Sequence, residues 1–356
     1  MYAIKHPVPN YEEKIRHALS ETRGHHSISE TRNLDDLKLV IFSDHHRGVR
    51  DGADDFVQCQ ATYHGALGYY LEAGYELVLL GDVEELWEAA PEAIVAAYET
   101  TLRLEQQFAE RGALKRFFGN HDDLWRNPDA VQEHLGPYLD ESNHIYEGLE
   151  LTVEEGGETL GTLFFVHGHQ GTGLSDDYAF ISRAFVRYIW RPLQRLLRFK
   201  VATPSTTYSL RLKFEDALYT WAAQQEGYVV IAGHSHRPVF SPGAPTARLL
   251  KELETLRQDL AGAASEAEQK RLQEEAGHKA AELHWMLART ESAKPFGYEK
   301  PCYFNTGCCS FSNGDITGLE IANGTIRLVR WPNVEKPKKQ ILRTISLKKV
   351  LERCKT

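Results

Sequence analysis

Phe117-Phe118-Gly119-Asn120-His121-Asp122 is the stretch on which the fold and the chemistry of this chain turn. Residues 114–118, apolar apart from Lys115 and Arg116, run straight into a polar cluster. The pattern predicts a buried strand that delivers Gly-Asn-His-Asp at its C-terminal tip. In open α/β sheets, ligands bind in the crevice beyond the strand C-termini. Asn120 can offer a carbonyl oxygen to a metal, and His121 can act as acid or donor near neutral pH. Asp122 can accept the second imidazole N–H and fix the ring. By itself the tetrad is what any tight turn favours. Its weight comes from four further strand-end clusters.

Working outward, residues 37–42 read as a buried strand by length and β-branched content, ending in Ser43-Asp44-His45-His46-Arg47-Gly48. A helix over 55–72 follows, then a strand over 76–80 that ends in Gly81-Asp82-Val83-Glu84-Glu85-Leu86-Trp87. Residues 92–111 are helical, with Gly112 as the stop. Strand, helix, strand, helix, strand implies a parallel arrangement with crossovers. Upstream, 11–23 has the spacing of a peripheral helix and 27–36 reads as polar connection.

Downstream of a short helical segment near 129–135, the pattern becomes β-rich. Strands at 149–153 and 159–166 flank Gly156-Gly157, and the second ends in His167-Gly168-His169. Residues 228–232 end in Gly233-His234-Ser235-His236, and 301–306 lead into Gly307. Strands at 316–321 and 325–331 flank Ala322-Asn323-Gly324, whose Asn-Gly suits a two-residue hairpin turn. The expected class is α/β, an α+β sandwich of two facing mixed sheets flanked by helices. Two helical insertions interrupt it, at about 176–221 and 245–291. The first carries Arg183, Arg187, Arg191, Arg195 and Arg198, with a kink at Pro192. The second spaces Leu249, Leu253, Leu256 and Leu260 in heptad fashion and turns at Ala261-Gly262-Ala263-Ala264. The organisation is a helical extension over 1–36, a main domain over 37–332 and a basic tail over 333–356, with a short amphipathic helix around 345–351.

The chain has 356 residues, 42% hydrophobic and 26% charged, enough for one large domain with insertions. A net charge of −9 argues against general nucleic-acid binding. The 5 cysteines have no regular spacing and suggest no disulfide framework. Cys302, Cys308 and Cys309 read as buried structural residues. Residues 1–10 lack the apolar region of a signal peptide, and no apolar run approaches the about 20 residues of a membrane span. The expectation is a cytoplasmic protein with reduced thiols.

The strand-end clusters bring together Asp44, His46, Asp82, Asn120, His167, His234 and His236. Carboxylate and imidazole ligands without cysteine suit manganese, iron or zinc rather than a structural Cys-zinc site. Seven candidates are too many for one ion; two ions sharing one carboxylate would use them all. Such a pair can clamp an in-line phosphoryl displacement, with a bridging water as hydroxide.

In this order the clusters resemble the calcineurin-like metallophosphoesterase superfamily, over roughly residues 37–238 plus the final strands. The resemblance implies a β-sandwich flanked by helices with a two-metal centre at one edge. It implies that Asp44, His46 and His236 hold one metal, that Asn120, His167 and His234 hold the other, and that Asp82 bridges. His121 would donate to the departing oxygen, with Asp122 as its orienter. The Gly-Asp-x-x-Glu-x-Trp segment at 81–87 looks like that of the UDP-2,3-diacylglucosamine pyrophosphohydrolase branch, as does Asp176-Asp177-Tyr178 opening the first insertion. Arg47 and His169 depart from that branch, and the second insertion and the tail are additions to it.

The sequence reading is therefore a phosphoester or phosphoanhydride hydrolase with two divalent ions, manganese first and iron, zinc or cobalt as alternatives. The substrate expected is a nucleotide- or lipid-linked diphosphate, with Arg47, Arg183, Arg187 and Arg191 as substrate-binding candidates. The alternatives are a phosphomonoesterase or phosphoprotein phosphatase, or a non-catalytic partner-binding module. The basic helix or the tail would make peripheral contact with the inner membrane face. Glu85 and Trp87 read as residues supporting the ligands from behind, Trp87 equally as plain core; His45 reads as packing or hydrogen-bonding nearby, and His169 as lining.

Overall fold

The computed structural model describes residues 11–139, 144–171, 204–240, 245–280 (save 264, 267, 274 and 278), 300–335 and 337–355. Two mixed sheets flanked by helices form the molecule. After α1 (Tyr11–Glu21) and a π-helical turn (Thr22–His26) comes β1 (Ser27–Asn33). Then follow β2 (Lys38–Phe42), α2 (Gln60–Glu72), β3 (Glu76–Leu80), α3 (Pro91–Ala97), α4 (Glu99–Ala109) and β4 (Leu114–Phe117). A 3-10 turn (Asp123–Arg126) leads to α5 (Pro128–His134), β5 (Ile145–Tyr146), β6 (Gly148–Glu155) and β7 (Glu158–Val166). The remainder is α6 (Pro204–Gln224), β8 (Tyr228–Ala232), β9 (Pro238–Phe240), α7 (Pro245–Gly262), β10 (Tyr303–Thr306), β11 (Ile316–Ala322), β12 (Thr325–Trp331), β13 (Gln340–Ser346) and α8 (Leu347–Lys355).

The seven-stranded sheet has the order β13-β12-β11-β2-β3-β4-β5 and the six-stranded sheet β1-β6-β7-β8-β10-β9. The strands β2, β3, β4 and β5 pair in parallel, as the alternation of strands and helices predicts. Their residues alternate between two cores, as a period of two requires. Leu39, Ile41, Val78 and Leu80 share a core with Leu163, Phe165, Val229 and Ile231 of the other sheet. Val40, Phe42, Leu77 and Leu79 pack instead with Tyr63, Leu67 and Tyr70 of α2 and Phe108 of α4. The Asn-Gly turn forms as expected, with φ of 51° at Asn323 and 65° at Gly324.

Three readings of the sequence change. Residues 27–33, taken as connection, form edge strand β1, pairing in parallel with β6. The predicted helix over 92–111 is broken at Tyr98 into α3 and α4. The tail adds β13 to the sheet before α8, whose Leu347, Val350 and Leu351 are buried. The second insertion folds back on itself: Lys279 reaches Glu252 of α7. Most of the first insertion lies outside the described residues, and among the described residues no helix is long and apolar enough to cross a membrane.

Candidate metal centre

Five strands, from both sheets, end at one place. β2 delivers Asp44 and His46, β3 delivers Asp82, and β4 leads to Asn120 and His121. β7 ends at His167 and β8 leads into His234 and His236. Residues other than glycine seldom adopt positive φ, and such conformations gather at functional sites. Among the described residues seven non-glycine residues do so, and five are Asp44 (54°), His46 (51°), Asp82 (51°), His234 (64°) and His236 (55°). The tips of the loops are held in unfavourable backbone so that their side chains converge.

The glycines beside these residues serve two purposes. Gly81 makes its turn with φ of 82°. Gly119 and Gly233 lack positive φ, and what they supply is space. A Cβ on Gly119 would run into the Asp82 carboxylate and lie 2.7 Å from the His167 ring. One on Gly233 would lie 2.6 Å from an Asp44 carboxylate oxygen.

The donor atoms fall into overlapping groups, each within 4.8 Å: Asp44, His46 and His236; Asp82, His167 and His234; and His46, Asp82 and His121. The third joins the other two, sharing His46 with the first and Asp82 with the second. One of the Asp82 carboxylate oxygens, Oδ1, accepts the His121 backbone N–H at 2.9 Å. The other, Oδ2, lies 3.1 Å from His167 Nε2 and 3.9 Å from His46 Nε2.

The proton positions follow from the hydrogen bonds. His167 Nδ1 donates to the Leu80 carbonyl at 2.7 Å. In a neutral ring its Nε2 lone pair would face Asp82, acceptor against acceptor, so this 3.1 Å contact needs a proton or a cation on Nε2. His46 Nδ1 donates to Glu85 at 2.9 Å, which leaves its Nε2 aimed at His236 Nε2, 3.0 Å away. The Oδ1 atom of Asn120 is buried and unpartnered. An arrangement of lone pairs like this is repulsive unless positive charge lies among them. Extra protons are one source: burial opposes protonation of His167, but Asp82 outweighs it and lifts the group to about 9. Divalent cations are the other, and the donor set of carboxylate, imidazole and amide oxygen fits them. No cysteine joins such a group among the described residues; all five are buried and free.

His121 stands at the junction of the groups, but Asp122 does not orient it. Asp122 accepts the backbone N–H groups of Asp82, Val83 and Gly119, clamping the loops after β3 and β4 together. The partner of His121 is Glu85, whose carboxylate lies 2.8 Å from Nδ1 and also receives His46. The Trp87 indole stacks on the other side, with ring centres 4.2 Å apart and planes at 20°. Burial works against a charged His121, yet Glu85 and Asp82 prevail and raise it to about 10. The signal for Glu85 was present in Gly-Asp-x-x-Glu, which sets a carboxylate three residues beyond Asp82.

Arg47 is corrected as a substrate contact. It is fully buried, its guanidinium bound to Glu105 and packed over Phe56 and Tyr63, so it cannot reach a ligand at the strand ends. Arg183, Arg187 and Arg191 lie outside the described residues. His45 packs edge-on against Phe56 and Tyr63. His169 is buried, its ring 5.5 Å from that of His167 and 6.2 Å from that of Phe118.

No family model matches the chain and no curated protein matches it. Among solved structures it is similar to a conserved uncharacterized protein from Streptococcus pneumoniae TIGR4, described as a predicted phosphoesterase. The identity is 11%, over 86% of this chain and 97% of that one, with a TM-score of 0.27. So loose a superposition carries no weight beside the geometry of the donor groups.

Proposed function

We propose that the chain is a metal-dependent hydrolase of phosphoesters or phosphoanhydrides. The observation that carries this is the convergence of two donor groups, linked through His46 and Asp82, with His121 at the link. Asp44, His46, His236 and Asp82 would hold one divalent cation. Asp82, Asn120, His167 and His234 would hold the other, as the motif resemblance to calcineurin-like metallophosphoesterases implies. Manganese is the first expectation. Such ions supply charge neutralisation of phosphate oxygens and an activated water.

The chain's own residues do the rest. The Nδ1 atom of His121 is committed to Glu85, so Nε2 is the atom free to carry a proton to a leaving oxygen. Glu85 and the Trp87 stack fix the ring in one orientation, which preserves the approach of that atom. Asp122 holds the two flanking loops together without entering the chemistry. The substrate we infer is a nucleotide- or lipid-linked diphosphate, on the resemblance of residues 81–87 to the UDP-2,3-diacylglucosamine pyrophosphohydrolases and on the arginines at 183, 187 and 191. Purified protein stripped with chelator and reloaded with manganese, zinc or cobalt, then offered monoesters, diesters and diphosphates, tests the reading. Hydrolysis restored by metal is expected. Metal-loaded protein that hydrolysed none of the three classes would overturn it.

A further inference from the structure

Arg126 ends the 3-10 turn that follows Asp122, and its side chain is 65% exposed. Its guanidinium carbon lies 5.1 Å from the centre of the Phe118 ring, the residue just before Gly119. Phe118 packs on His169 and His169 on His167, so two rings stand between Arg126 and a member of the second donor group. Among the described residues its acidic neighbour is Glu147, 3.8 Å away and beyond hydrogen-bond length, whose other oxygen accepts the Thr22 hydroxyl. Among the described residues, the other arginines near these loops are committed. Arg47 and Arg116 are buried against Glu105 and Glu84, Arg237 binds Glu252, and Arg50 is turned onto Gln60 and Tyr98. Beside Arg126 opens a cavity of about 260 Å³, lined among others by Trp125, Val131, Leu139, His144 and Ile145.

We propose that Arg126 and this cavity form a subsite for the part of the substrate beyond the scissile phosphorus. A second phosphoryl group would be held by the guanidinium, and the compact group it carries would enter the cavity. This rests on the phosphoesterase reading and narrows it to substrates with two phosphoryl groups. A guanidinium binds phosphate through two parallel N–H donors, and a stacked one loses little freedom on doing so. The aromatic floor of Phe118 holds the fork in place on the loop that carries Asn120 and His121. A contact to a remote part of a substrate counts only for molecules that possess that part.

The test compares wild type, Arg126→Gln and Arg126→Lys, all loaded with manganese. Calorimetry measures binding of methylenediphosphonate, which cannot be hydrolysed between its phosphorus atoms, against methylphosphonate. We expect Arg126→Gln to weaken the diphosphonate by about tenfold to a hundredfold, the range for one hydrogen bond to a charged group. Methylphosphonate should change less than about twofold, and Arg126→Lys should recover part of the loss. The kcat/KM on a nucleoside diphosphate ester should fall alongside, through KM, while turnover of a small aryl phosphate holds. Filling the cavity with Val131→Phe should depress kcat/KM for the nucleoside ester and leave the diphosphonate affinity intact. Equal weakening of both phosphonates, or of neither, overturns the subsite. If the wild type hydrolyses nothing but discriminates as described, the subsite stands and the hydrolase reading falls.

Discussion

Arg47, Arg116, Glu84 and Glu105, drawn from the loops after β2 and β3 and from β4 and α4, are buried as deeply as Asp44, Asp82 and His167. In the first set every charge meets its opposite. Arg47 binds Glu105, which also accepts the Tyr63 hydroxyl at 2.8 Å. Glu84 receives Arg116 at 2.6 Å and Trp125 Nε1 at 2.9 Å. Two cations and two carboxylates cancel, and the chain's own donors fill the acceptors. In the second set His46 Nε2 faces His236 Nε2 at 3.0 Å and His167 Nε2 faces an Asp82 oxygen at 3.1 Å, contacts that need a proton or a cation between them. Burying charge without a partner is costly in either place. One set is a finished ionic girder under the loops after β2, β3 and β4. The other is complete only when positive charge is added from outside. The two sets differ in charge balance: the first contains its own counter-ions, and the second gathers donor atoms that a cation would complete.

The most damaging break in the second set is Asp82→Asn. It removes a charge that faces both donor groups, so we expect activity to vanish and the metal content of the purified protein to collapse. Elemental analysis of the folded variant decides the matter. Two ions retained at full activity would show that Asp82 is not the shared ligand. Next in size is His121→Ala, which should keep its metals yet lose about 10²–10⁴-fold in turnover, the usual range for general acid catalysis. The deficit should shrink as the leaving group becomes less basic. An equal deficit across leaving groups would move His121 from proton donor to electrostatic stabiliser.

The girder makes the opposite prediction. Arg47→Met strands Glu105 without its cation and should cost about 3–5 kcal/mol of stability. Adding Glu105→Leu removes the stranded charge, and the double variant should recover most of the loss in chemical denaturation. The double variant should still bind its metals, because neither residue points at the donor groups. A double variant as unstable as the single one would mean that the pairing itself, rather than the unpaired charge, carries the energy.

The loops that converge were legible because strand ends punctuated by Gly-Asp, Gly-Asn-His-Asp and Gly-His-Ser-His carry their candidate donors locally. The parallel core was legible from its apolar runs for the same reason. What escaped notice depends on side chains meeting across loops. Asp122 sits next to His121 in sequence, but three backbone N–H groups claim its carboxylate, and Glu85 takes the imidazole. Arg47 follows a ligand and so looked available, but Glu105 of α4 draws it beneath the loop. Edge strand β1, Ser-Ile-Ser-Glu-Thr-Arg-Asn, is too polar to announce itself, since it packs only Ile28 against the core. Arg126 shows no motif at all; only the ring of Phe118 beneath it marks the position.

The smallest effect expected concerns the protein without metals, where protons must do the work of cations. In the folded state His121 rises from its ordinary 6.5 to about 10, because Glu85 and Asp82 outweigh burial. A folded pKa above the unfolded one means that the charged ring stabilises the fold. That contribution is complete below about 6.5 and disappears as pH climbs through 10. His167, lifted to about 9 by Asp82 against burial, behaves in the same way. Glu85, despite burial, is held down to about 2 by His121 and His46, so its share is present above 4.5 and fails only in acid. Chelated protein should therefore lose thermal stability steadily from pH 7 to 10, and His121→Gln should flatten part of that slope. Saturating manganese should flatten the rest, because a cation at His167 leaves no proton there to lose. A metal-free melting temperature that stayed level from pH 7 to 10 would show that the lone pairs at the strand ends are relieved by something other than protons.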